Sequence, residues 1–260
     1  MDKFKTIITE LNGQVVTLWL ARSEVHNALN DVMIRELSTF FTKIEEDIDI
    51  RLVVIRGQGK SFCSGADLNW MKRAFSLTPE ENLKESKELT DLFKLIFDSS
   101  KIIISAVHGN IFGGGNGIVA ACDLAYCIDN AKFSLSETRI GMSAASITPY
   151  MLNKVQATDL KELIFSAKVF DGNEAVKYGL INHSFSSQEF MELYLNTIIS
   201  EILANGKLAL IESKRLINRL TEQSMAEEMK QIPHLLARIR VSPEAQEGFS
   251  AFLEKRKPKW

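Results

Sequence analysis

Three short segments hold the residues whose types and spacing suit chemistry. Phe133-Ser134-Leu135-Ser136-Glu137-Thr138-Arg139-Ile140-Gly141 offers Glu137, a carboxylate able to give and take a proton. Alone, a glutamate beside an arginine reads more readily as a solvated ion pair. Ser61-Phe62-Cys63-Ser64-Gly65-Ala66-Asp67-Leu68 follows an apolar run, and its small residues would let backbone N–H groups reach a ligand. It reads equally as a turn into a helix with Asp67 as the cap. His108-Gly109-Asn110-Ile111-Phe112-Gly113-Gly114-Gly115-Asn116-Gly117 ends at an apolar helix, Ile118 to Cys122. Free N–H groups and the dipole at such a helix start favour anions or developing negative charge. A tightly packed turn is the other reading, but three adjacent glycines cost conformational entropy, and that favours a functional role.

Other chemistries find no support. The glycine cluster has neither the GxGxxG nor the GxxxxGK[ST] spacing of nucleotide sites. His26, His108, His183 and His234 lack metal-ligand spacing and read as surface or supporting residues. No G-x-S-x-G elbow accompanies a Ser/His/Asp set. Lys255-Arg256-Lys257 is a solvated tail or a partner for phosphates.

These segments need a frame. Two apolar stretches between Ile7 and Leu20 are broken at Asn12-Gly13, a hairpin signal. Leu29, Met33, Leu37, Phe40 or Phe41, and Ile44 recur at helical spacing, with Asn30 or Asp31 as cap. Leu52 to Ile55, Ile102 to Val107 and Leu124 to Ile128 are continuous apolar runs of the kind buried on both faces of a parallel sheet. Helical patterns such as Pro79 to Phe97 alternate with them, which predicts an α/β fold with right-handed crossovers. Ligands collect beyond the carboxyl ends of strands in such sheets, where the Ser61 and His108 segments lie. After about residue 145 the spacing predicts helices near 148–154, 158–166, 172–178, 187–203, 207–220 and 224–240, and a short one from Pro243.

The 260 residues, 45% hydrophobic and 25% charged, suit an ordinary globular chain with one large domain or one domain and an appendage. A net charge of -2 excludes the basic footprint of a polyanion binder, so no nucleic-acid partner is expected. Three cysteines without CxxC spacing read as buried thiols of a reducing compartment. No membrane span and no signal-peptide pattern is seen, so a cytoplasmic location is expected.

Taken in order, Ser64-Gly65-Ala66-Asp67-Leu68, Val107-His108-Gly109 with Phe112-Gly113-Gly114-Gly115, Cys122-Asp123, Phe133-Ser134-Leu135-Ser136-Glu137 and Phe252-Leu253-Glu254-Lys255-Arg256-Lys257-Pro258 resemble the enoyl-CoA hydratase/isomerase (crotonase) family from end to end. The wording around Ala66 and Glu137 is similar to bacterial methylglutaconyl-CoA hydratases of leucine catabolism. The resemblance implies a spiral of ββα units over residues 1–190. It implies a helical region over 191–260 that serves oligomerisation and completes the CoA site. A homotrimer or homohexamer, an acyl-CoA thioester substrate and no separate cofactor or metal are also implied. By position, Ala66 and Gly114 would supply the N–H groups of an oxyanion hole, and Glu137 the acid/base. Arg22, Val25, Ala28, Ser64, Ala66, Asp67, Leu68, Phe252 and Lys255 would meet the CoA moiety, with Lys257 an equal phosphate partner. The implied reaction is addition of water across the 2,3 double bond, with methylglutaconyl-CoA as one substrate.

One departure bears on mechanism. Two-glutamate hydratases carry a Glu two residues after the glycine triplet, where this chain has Gly117, and a second Glu preceded by Pro, where it has Ser136-Glu137. Asn116 does not titrate and could at most orient a water. Three readings of the chemistry follow: Glu137 alone handles hydration; the enzyme is a double-bond isomerase with one carboxylate; or Glu85, Glu88 or Asp91 supplies a further acid. A CoA-ester-binding paralogue with little activity is the rival from another class. Arg139 or Lys72 would then meet any carboxylate on the substrate.

Overall fold

The Asn12-Gly13 pair turns the chain between β1 (Ile7–Asn12) and β2 (Val15–Leu20), which pair antiparallel, with Gly13 at φ 58°. The computed structural model describes residues 4–74, 76–222, 232, 234–236, 238–239 and 242–259. α1 (Asp31–Ile44) starts where the Asn30 side chain accepts the Met33 N–H, at 2.9 Å. Its apolar stripe, Met33, Leu37, Phe40, Phe41 and Ile44, is buried. β3 (Leu52–Gly57) pairs in parallel with β2.

α2 (Leu68–Ala74) leads to α3 (Pro79–Asp98), which opens on a capping box between Thr78 and Glu81 with Pro79 in the first turn. β4 (Ile102–Val107) returns beside β3. β5 (Asn110–Phe112) then leads into α4 (Gly114–Ala121), and β6 (Leu124–Ile128) pairs with β4. β7 (Lys132–Ser134), β8 (Phe170–Asp171) and β9 (His183–Phe185) are short.

One sheet runs β1-β2-β3-β4-β6-β9, parallel from β2 onward, and a smaller one runs β5-β7-β8. Leu52, Val53, Val54 and Ile55 of β3 are buried, as their unbroken apolar run requires, each worth roughly 1.5–3 kcal/mol of transfer energy. α1 packs on α3, and α3 on α4. This is the expected α/β frame. β8 and β9 add strands beyond residue 145, where helices alone were expected, because two or three residues carry no readable period.

The helices expected after residue 145 form as α5 (Thr148–Leu152), α6 (Ala157–Ser166), α7 (Gly172–Lys177), α8 (Gln188–Leu203), α9 (Lys207–Glu222) and Pro243–Leu253. The one expected over 224–240 lies mostly outside the described residues. The chain divides into two compact units, Met1–Leu193 and Tyr194–Trp260. Both sheets belong to the first; α9 and Pro243–Leu253 belong to the second.

Candidate active site

The segment after β3 is threaded between two others. Phe62 and Cys63 donate their N–H groups to His108 and Asn110, and Phe112 donates back to Cys63 at 3.0 Å. On the other side Ser64 donates to the His26 carbonyl, Leu29 to Gly65 at 2.7 Å, and Asp67 to Leu29 at 2.8 Å. Leu29 and Ala66 thus form one parallel bridge. In such a bridge Leu29 uses both of its backbone groups, and the N–H of Ala66 points away from it. That N–H has no hydrogen-bond partner among the described residues.

The second turn comes from β5. Gly113 donates to the Ser134 carbonyl at 3.1 Å and sits at φ 48°, a conformation that favours glycine. Gly114 is the first residue of α4, so its N–H has no acceptor within the helix. The two turns touch: a Cβ on Gly113 would lie 3.6 Å from the Gly65 Cα and 3.4 Å from Glu137 Oε1. Glu137 opens a short 3-10 turn, Glu137–Ile140, just past β7. Its Oε2 is buried with no hydrogen-bond partner. Burial pushes the carboxyl above the usual carboxylate range. A protonatable group therefore faces two turns that each carry a free N–H at the next residue. Such a set can hold a developing oxyanion while a proton moves beside it.

Arg22 ties the first turn down. Its guanidinium donates to the Ala28 carbonyl at 2.6 Å and to Asp67 Oδ2 at 2.7 Å. Asp67 Oδ1 also accepts the Asn69 and Trp70 N–H groups at the start of α2. Burial alone would raise the Asp67 carboxyl; the arginine and these N–H groups outweigh it and hold it below the usual range. Asn27, fully buried at φ 55°, braces the loop by donating to the Gln58 and Ser61 carbonyls. Arg22, Ala28, Ser64, Ala66 and Asp67 therefore lie together, with Val25 and Leu68 exposed at the rim. The sequence reading missed Asn27, whose only signal is an Asn in a short polar turn.

Lys255 and Lys257 are exposed and belong to the second unit, and the Phe252 side chain lies outside the described residues. Arg256, between the lysines, turns back onto Glu247 at 2.6 and 3.0 Å. Glu85 binds Trp70 Nε1 and Arg73, each at 2.6 Å, and Glu88 faces Arg35 and Lys84. Asp91 is exposed. Arg139 donates to the Ala167 carbonyl at 2.7 Å, and Lys72 is exposed. Cys63, Cys122 and Cys127 are buried and form no disulfide among the described residues, and burial pushes the Cys63 thiol up to about 12. Asn116 is fully buried and donates to two carbonyls, so it does not face a substrate water.

Gly117 is closed to a carboxylate. A Cβ there would lie 2.5 Å from both Phe93 Cζ and Ile147 Cγ2. Phe93 of α3 and Ile147 before α5 fill the space a second glutamate would need.

Two N–H-bearing turns and one carboxyl group thus meet at the ends of a frame of parallel strands. The profile of the enoyl-CoA hydratase/isomerase family matches residues 10–260, and the chain belongs to that family. It is 28% identical over 256 residues to the crotonyl-CoA hydratase of Syntrophomonas wolfei, covering 98% of this chain and 97% of that one. It is 32% identical over 236 residues to the human mitochondrial Delta(3,5)-Delta(2,4)-dienoyl-CoA isomerase, covering 86% and 72%. The crystal structure of an enoyl-CoA hydratase from Shewanella pealeana superposes with a TM-score of 0.94 at 30% identity, over 99% of this chain and 97% of that one.

Proposed function

We propose that this chain adds water across the 2,3 double bond of an acyl-CoA thioester, with Glu137 as the one proton carrier and the Ala66 and Gly114 N–H groups as the oxyanion hole. The observation that carries this is the buried, unpartnered Oε2 of Glu137, whose carboxyl lies against Gly113, which itself packs on Gly65. Attack of water at C3 sends charge onto the thioester oxygen as an enolate, which the two N–H groups hold. Glu137 takes the water proton in that step and returns a proton to C2 in the next. Because the enolate separates the steps, one carboxyl serves both, and no residue at position 117 is required.

Arg22, Val25, Ala28, Ser64, Asp67 and Leu68 form the proposed CoA-binding edge. Phe252 and Lys255 complete it, with the basic side chain meeting a phosphate. No cofactor beyond the substrate's own CoA is needed for this chemistry. We infer a homotrimer or homohexamer, assembled through residues 191–260, in the cytoplasm. Three buried thiols that form no disulfide among the described residues are consistent with a reducing compartment. No described helix is long and apolar enough to cross a membrane. Methylglutaconyl-CoA is the first ester we would test.

The filled site at Gly117 favours a second reading, double-bond isomerisation, in which the same carboxyl moves a proton between C2 and C4. Product mass on a panel of 2-enoyl- and 3-enoyl-CoA esters separates the two. Hydration yields a product heavier by one water; isomerisation leaves the mass unchanged. Binding of the esters without either product would refute both.

A further inference from the structure

We propose that Asn116 is a positioning residue that sets where the Glu137 carboxyl stands relative to the Gly114 N–H; this rests on the roles given above to Glu137 and Gly114. Asn116 lies in the first turn of α4 and is fully buried. Its amide nitrogen donates to the Ile111 carbonyl of β5 at 3.1 Å and to the Ser134 carbonyl of β7 at 2.9 Å. The Ser134 carbonyl accepts Gly113 N–H as well. The Asn116 backbone closes the turn on itself, donating to the Gly113 carbonyl at 2.9 Å. One carboxamide therefore fastens three pieces of chain: β5, the start of α4 with Gly114, and the end of β7, three residues before Glu137.

The orientation of the amide follows from its neighbours. Two carbonyls face one end, and only the NH2 group can donate to both. The other end, Oδ1, is buried without a partner. An orphaned acceptor of this kind costs about 1–3 kcal/mol. An apolar side chain of the same shape would avoid that cost in an otherwise apolar helix face between Gly115 and Ile118. What the asparagine gives in return is a double donor at one fixed reach. Asp at this position has no donor when ionised, and Leu has none at all. Gln reaches one methylene too far.

The test compares purified Asn116→Leu, Asn116→Asp and Glu137→Gln with the wild type, with circular dichroism fixing the folded fraction of each. The readouts are kcat and KM for an enoyl-CoA ester. Both Asn116 variants, per folded molecule, are expected to lose about 10- to 100-fold in kcat, as displacement of a catalytic group by about 1 Å does. KM is expected to stay near the wild-type value, because the CoA-binding edge is elsewhere. Asn116→Asp keeps the volume and stands in if Asn116→Leu does not fold. A folded variant with wild-type kcat, or a loss confined to KM, would overturn the proposal while leaving the role of Glu137 intact if Glu137→Gln is inactive. An active Glu137→Gln would overturn both.

Discussion

At the scale of residues, the proposed chemistry rests on one half-buried carboxyl group. Glu137 has no hydrogen-bond partner at Oε2, and burial raises its proton affinity. A raised value suits a group that must both accept and release a proton near neutral pH. It also carries a stability cost with a definite sign. The folded chain holds this proton more tightly than the unfolded chain does. The group's contribution is therefore fully favourable below the unfolded carboxylate pKa and is lost as pH rises through the raised folded value. Glu137→Gln, which cannot ionise, should melt at a higher temperature than the wild type at neutral pH, and the gap should close in acid. A melting series from acid to neutral pH checks this; a gap that is constant or widens in acid contradicts it.

At the scale of elements, the ends of β3, β5 and β7 and the start of α4 bring the site together. The apolar runs of β3 and β4 and the three candidate segments were readable from the sequence, because each carries a strong local signal. What brings them together was not readable. The Leu29–Ala66 bridge joins backbone groups far apart in sequence, and the Asn27 brace and the Asn116 clamp are made by polar side chains with no period of their own. Glu137 drew its expected role from the family resemblance, since its local signal is that of a solvated ion pair, and the structure sets it against Gly113.

Gly117 was read as a missing carboxylate, and the structure gives the physical reason in Phe93 and Ile147. That packing reverses an ordinary rule. Gly→Ala inside a helix normally stabilises by about 0.5–1 kcal/mol. Gly117→Ala should instead destabilise by about 1–3 kcal/mol through overpacking, seen as a lower urea midpoint. A stabilised variant would show that the wall at Gly117 yields. At the start of α1, Asn30→Ala should cost about 1 kcal/mol by removing the cap on Met33, measurable in the same titration.

At the scale of the whole molecule, the first unit holds the turns and Glu137, and the second holds the exposed Lys255 and Lys257. A net charge of -2 is compatible with binding a polyanionic CoA ester, because local cations suffice. Lys255→Ala should raise KM for the ester by about tenfold or less and leave kcat alone, the pattern of lost uniform binding. Steady-state kinetics at two salt concentrations checks it, since an ionic contact weakens as salt rises.

The central claim is that one carboxyl carries every proton. Its most direct measurement is turnover of an enoyl-CoA ester by Glu137→Gln, with ester affinity determined on the same preparation. Loss of one general acid/base is expected to lower kcat by about 10²–10⁴, with affinity for the ester retained. Turnover near the wild-type rate in a folded Glu137→Gln enzyme would contradict the claim.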